Sequence, residues 1–255
     1  MEILYLCFFA FLAGFIDSIV GGGGLIQTPA MLILLPQVPI ASLLGTGKLA
    51  GISGTTAALL RYRRSVQIKW SNILPTAVAA FIFSFVGART VSAIPTDMLR
   101  PVILVLLIGV AGYTFLRKDF GSFHAPRLSE NKEKIYGVMV GLLIGFYDGF
   151  FGPGTGSFLI FIFIGLFGFN FLAASASAKV VNVATNLSAL LYFAFTNQVL
   201  YQIGIPMAIC NILGSTLGSR LAIQKGTGFI RVFFLIVVIA IIGKFAYDSF
   251  FKEFY

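Results

Sequence analysis

The sequence predicts an all-α multi-pass membrane protein made of two inverted five-segment repeats, about eight full helices plus two short or re-entrant segments. Three observations predict it. The chain of 255 residues is 58% hydrophobic and 11% charged, more apolar surface than one water-soluble core of that size can hide, so its solvent is lipid. The apolar residues gather into runs near the roughly 20 residues that cross a hydrocarbon core. Finally, Gly14, Phe15, Asp17, Gly21, Gly23, Lys48, Pro75, Ser84, Gly87, Arg89 and Arg100 recur 131 positions later as Gly145, Phe146, Asp148, Gly152, Gly154, Lys179, Pro206, Ser215, Gly218, Arg220 and Arg231. The recurrence keeps glycines, prolines and charges inside apolar stretches, where polar groups cost most, and so points to a duplicated site.

In order along the chain, full spans are expected at 3–20, 41–60, 71–94 and 99–116 in the first repeat, residues 1–116. Those of the second repeat, residues 135–255, fall at 135–151, 171–195, 203–222 and 229–250. The first run has no basic n-region and leads into glycines, so a retained helix is expected rather than a signal peptide. Leu25 to Leu35 and Ser157 to Gly168 are apolar but shorter, each a half-helix, a re-entrant piece or a short tilted span. Residues 117–134 mix charges around the lone His124 and read as a cytoplasmic linker; for His124 an ordinary surface histidine outweighs a catalytic one. Cys7 and Cys210 sit in apolar runs without metal-ligand spacing, as packing thiols do.

Basic residues in short loops mark the cytoplasmic side. The loop with Arg61, Arg63, Arg64 and Lys69 is therefore expected inside, as is the linker with Arg117, Lys118, Arg127, Lys132 and Lys134. The second-half counterpart of that loop, Thr196 to Tyr201, has no Lys or Arg. Equivalent loops thus fall on opposite sides, which an odd number of crossings per repeat produces, with both termini outside the cell membrane. This bias accounts for most of the +9 net charge, so anionic lipid headgroups rather than nucleic acid are the expected partners of the basic loops.

Two glycine clusters carry chemical content: Gly21, Gly22, Gly23, Gly24 and Gly152, Pro153, Gly154, Thr155, Gly156. Each follows a long helix and precedes a short apolar run, so each can break the helix within the membrane. A break exposes N–H groups, and the positive end of the following half-helix favours an anion. Close helix packing is the other reading of such glycines. Lys48, after Gly45, Thr46 and Gly47, and Lys179, after Ser175, Ala176, Ser177 and Ala178, lie at bilayer depth. A lysine there costs roughly 2.5–3.5 kcal/mol on insertion scales, which marks a functional site with a partner to find. Gly51 and Thr55, and their counterparts Asn182 and Asn186, share the lysine's helical face and could complete the hydrogen bonds of an oxyanion.

Asp17 and Asp148 stand four residues before their clusters. Ionised, they would bind the lysines or accept from the unwound glycine backbone; protonated, they would release the lysines and act as proton-coupling elements. Arg89 and Arg220 close their helices as vestibule groups for arriving anions, or simply snorkel to the headgroups. No Ser/His/Asp or Cys/His arrangement, zinc motif, Walker loop or dinucleotide fingerprint occurs, so no catalytic residue, cofactor or metal is expected and the protein is not read as an enzyme.

The stretch from Gly14 to Gly24 (GFIDSIVGGGG) with Thr28 and Pro29, the segment Gly45, Thr46, Gly47, Lys48, and the stretch from Gly145 to Gly156 (GFYDGFFGPGTG) resemble the TauE/SafE family of membrane permeases across essentially the whole chain. The resemblance implies transport, mostly export, of small sulfur-containing anions such as sulfite, sulfoacetate and related sulfonates, driven by an ion gradient. In this chain Gly51 and Thr55 stand where the second half has asparagines, so the half-sites are unequal. The expected function is a secondary transporter of such an anion, with a proton or sodium as coupling ion. An anion channel and a structural subunit of a membrane complex are the alternatives, and homo-oligomerisation is left open.

Overall fold

The computed structural model describes the backbone of residues 1–95, 98, 99, 105 and 128–251, and side chains among these up to residue 226. Apart from residues 99 and 105, the expected span 99–116 lies outside the described residues, as do Arg117, Lys118, His124, Arg127 and the side chain of Arg231.

Every regular element among the described residues is a helix: α1 (Glu2–Val20), α2 (Gly24–Leu34), α3 (Ile40–Ser65), α4 (Trp70–Ser92), α5 (Glu130–Phe150), α6 (Thr155–Gly165), α7 (Phe171–Phe195) and α8 (Tyr201–Phe251). Helices α1, α4 and α7 are long and apolar enough to cross a membrane. Helices α2 and α6 have 11 residues each, about 16 Å at about 1.5 Å per residue, too short to cross a core of about 30 Å. Helix α8 changes direction at Gly226 (φ 70, ψ −167), between the spans expected at 203–222 and 229–250. Helix α5 begins at Glu130, so the last five residues of the stretch expected as linker, 130–134, are helical. Glu130 and Glu133 in its first turn face the positive end of the helix, which charge counting alone reads as loop.

The repeats interlock rather than sit side by side. α1 packs on α8, the fourth segment of the other repeat, and α5 packs on α4 in the same way. The α4/α5 contact is a stripe of small residues: Gly137, Gly141, Gly145 and Gly149 of α5 lie against the backbone or hydroxyls of Thr76, Ala80 and Ser84. An added Cβ at Gly149 would lie 1.9 Å from the Ser84 carbonyl oxygen, so the helices touch through their backbones. Helices α3 and α7, the third segments of their repeats, also meet. Gly45 approaches Phe193 and Gln198 while Gly51 approaches Asn186, so positions rise along one helix as they fall along the other. Equivalent helices running antiparallel is the relation that inverted repeats require.

The outer faces are apolar at helical spacing. Leu74, Val78 and Ile82 of α4, Ile135, Met139 and Leu143 of α5, and Ile205, Ile209 and Leu213 of α8 are all exposed. Each set steps by four residues and covers one face, the surface that a bilayer wets. Inside, Tyr62, Phe163, Phe167, Phe171 and Phe193 are fully buried.

Candidate functional site

At Gly21 and Gly22 the backbone turns left-handed (φ 76 and 83), as it does at Gly152 and Gly154 (φ 95 and 88). These conformations end α1 and α5 and launch α2 and α6 in new directions, and only glycine adopts them without strain. The two breaks cross each other. A Cβ on Gly21 would lie 2.4 Å from the backbone of Gly156 and Ser157, and one on Gly24 would lie 2.9 Å from Pro153. The Ser157 hydroxyl donates to the Val20 carbonyl at 3.2 Å, pinning one break to the other.

Beside the crossing is a cavity of about 80 Å³. Gly22, Gly23 and Gly24 line one side, and Gly152, Gly154, Thr155 and Gly156 the other. The N–H groups of Gly22, Gly24, Gly154 and Gly156 have no hydrogen-bond acceptor among the described residues. Both half-helices therefore turn their positive ends toward one small space.

The lysines meet the aspartates of the opposite repeat. Lys48 Nζ lies 2.7 Å from Asp148 Oδ2 and donates to the Asp148 carbonyl at 2.6 Å. Lys179 Nζ lies 2.6 Å from Asp17 Oδ2 and also donates to the Asp17 carbonyl. The pairs are related by the repeat yet differ in setting. Lys48 and Asp148 both border the cavity, whereas Lys179 is fully buried behind it and only Asp17 reaches the space. Asp17 further accepts from Gly23 N–H and the Thr55 hydroxyl, each at 3.4 Å. Each pair cancels its own charge, so the cavity offers directed hydrogen-bond donors rather than a large net positive field.

Thr55, Asn182 and Asn186 line the cavity, as does Gly51. Asn182 is 4% exposed and its Oδ1 has no partner, while the Asn186 amide is partly tied back to the Asn182 carbonyl at 2.8 Å. Gly21 and Lys179 stand behind the wall. Arg89 and Arg220 are exposed and do not border the cavity. Cys7 and Cys210 are free thiols that meet across α1 and α8.

Two lining residues escape the repeat comparison. Asn211 Nδ2 donates to Gln27 Oε1 at 3.2 Å, and Gln27 Nε2 donates to the Gly47 carbonyl at 3.1 Å. Their counterparts at the same offset are Ala80 and Phe158, so duplication gives no signal for them. A glutamine inside the apolar run Leu25 to Leu35 was the available clue.

Residues 6–245 match the family described as Sulfite exporter TauE/SafE. The chain belongs to that family. It is 40% identical over 232 residues to the probable membrane transporter protein ORF9 of Sinorhizobium sp., covering 91% of this chain and 87% of that one. To the probable membrane transporter protein YfcA of Escherichia coli K12 it is 36% identical over 248 residues, 96% of this chain and 89% of the other. A more distant relative, the probable membrane transporter protein MJ0441 of Methanocaldococcus jannaschii, is 25% identical over 84% of this chain and 82% of its own length. No solved structure gives a significant match. This TauE/SafE chain is thus a membrane transporter by family, with the crossed glycine breaks at its centre.

Proposed function

We propose that this TauE/SafE protein is a secondary transporter that carries a small sulfur-containing anion, sulfite or a related sulfonate, out across the cell membrane by ion-coupled alternating access. One observation supports the site above all: two half-helix N-termini and Lys48 border the same cavity, at the crossing of two inverted repeats. The choice of a sulfur oxyanion rests on the family description.

The chemistry follows from the ion pair. Without substrate, Lys48 is held by Asp148. An oxyanion in the cavity competes with that carboxylate for Nζ, and its remaining oxygens accept from the free glycine N–H groups. Asp148, displaced, is left as a buried carboxylate without a counter-charge, which is costly until it takes up a proton or sodium. Anion binding and cation uptake are thereby linked at one residue. The Lys179–Asp17 pair, of which only Asp17 reaches the cavity, ties the two repeats together while one bundle moves against the other.

The test is anion binding to the purified protein over sulfite, sulfoacetate, acetate and phosphate at several pH values. The reading expects sulfite or a sulfonate to bind with uptake of a proton or dependence on sodium. Selective binding of acetate or phosphate, with no sulfur anion bound, would remove the substrate assignment.

A further inference from the structure

The cavity is lined by an amide pair, one member from each repeat, that the duplicated pattern does not contain. Gln27 on α2 and Asn211 on α8 are 6% and 4% exposed and both line the space. Their orientation is fixed by chemistry: the Gly47 carbonyl can only accept, so Gln27 must present its NH2 there and its oxygen to Asn211. Asn211 must then present its NH2 to Gln27. Each carboxamide carries two N–H hydrogens and makes one donation among the described residues, leaving one donor apiece there.

The surroundings are shaped to hold the pair. Asn211 lies in a notch where a Cβ on Gly54 would come within 1.8 Å of its Oδ1 and one on Gly14 within 2.8 Å. Gly47, the residue before Lys48, leaves room for Gln27, whose Nε2 lies 3.3 Å from where its Cβ would be. The bridge therefore joins the half-helix α2, the Lys48 segment of α3 and α8. Asn182 also lines the cavity, and its buried Oδ1 has no partner among the described residues. A ligand in this space meets several carboxamides as well as one lysine.

We propose that Gln27 and Asn211 are specificity-determining residues that orient a multi-oxygen anion on Lys48 through their spare N–H groups. The proposal rests on the anion-transport reading and adds a ligand preference to it. Neutral amide donors at fixed angles reward an anion with several acceptor oxygens, such as sulfite or a sulfonate head, over a spherical ion such as chloride.

The test is sulfite binding to the purified full-length protein, with chloride as competitor, in wild type, Gln27→Met, Gln27→Glu and Asn211→Asp. Methionine matches glutamine in shape and removes both donors; the acidic variants keep shape and replace the donating nitrogen with an acceptor. In folded Gln27→Met, weakening of sulfite binding by about tenfold or more with chloride competition unchanged is the expected result; the acidic variants, whose added charge disfavours every anion, should lose sulfite at least as strongly. Wild-type sulfite affinity in stable Gln27→Met and Asn211→Asp proteins would overturn the proposal while leaving the transport reading intact. Absence of binding by any sulfur oxyanion in the wild type would overturn both. Should Gln27→Met fail to fold, the uncharged Asn211→Leu, of similar size, decides by the same criterion.

Discussion

Lys48 and Lys179 occupy equivalent positions in the sequence but not in the protein. Lys48 borders the cavity; Lys179 is fully buried behind it. Substituting either leaves a largely buried aspartate without its cation, but only Lys48→Ala should also remove a contact to the bound anion. Lys48→Ala is expected to weaken sulfite binding by about tenfold to a hundredfold, since a hydrogen bond to a charged group contributes about 1.5–3 kcal/mol. Isothermal titration on folded protein measures it. Lys179→Ala leaves Asp17 without its cation and should destabilise the fold by about 3–5 kcal/mol, the usual effect of removing one partner of a buried pair. The double variant Lys179→Met with Asp17→Asn should recover much of that loss in a thermal melt, because neither charge then remains buried. The lysines and aspartates were legible in the sequence because a charge in an apolar run stands out. Which aspartate each lysine meets was not, since a fixed offset compares the repeats without saying how they interleave. Gln27 and Asn211 stayed hidden for a different reason, having apolar counterparts.

Helices that are apolar over about 20 residues announce themselves, and α1, α3, α4 and α7 lie close to where the composition puts them. Their ends are set by local chemistry that hydropathy does not see, as the acidic first turn of α5 shows. The glycine breaks were legible as breaks, but their mutual crossing depends on tertiary packing. That crossing yields a contrast between two glycines with similar backbone angles. Gly21 (φ 76, ψ 176) and Gly226 (φ 70, ψ −167) both occupy a region nearly reserved for glycine. At Gly226 an added Cβ meets nothing within 4 Å, so Gly226→Ala should cost only the backbone strain of about 1–3 kcal/mol. At Gly21 the Cβ meets the backbone of Gly156 and Ser157 at 2.4 Å. Gly21→Ala should thus separate the two breaks and abolish sulfite binding, whereas Gly226→Ala should melt at a lower temperature and still bind. Equal loss of binding in both would contradict the crossing as the core of the site.

Across the whole molecule, the antiparallel relation of α3 and α7 and the reciprocal packing of α1 on α8 and α5 on α4 describe two inverted halves that share one interior. If the basic loop 61–69 faces the cytoplasm, as the positive-inside rule expects, both termini lie outside. Single cysteines placed at each end of a Cys7→Ala, Cys210→Ala background should react with an impermeant maleimide added to intact cells; protection of one end alone would rule out the predicted topology. The central claim concerns movement of an anion through that shared interior, and its most direct measurement is accumulation of labelled sulfite in proteoliposomes under an imposed proton or sodium gradient with the membrane potential clamped at zero. Wild-type protein should concentrate sulfite above the external level, and Lys48→Ala protein reconstituted in the same amount should not. Sulfite that only equilibrates in the wild type, or accumulates undiminished in Lys48→Ala, would contradict the account.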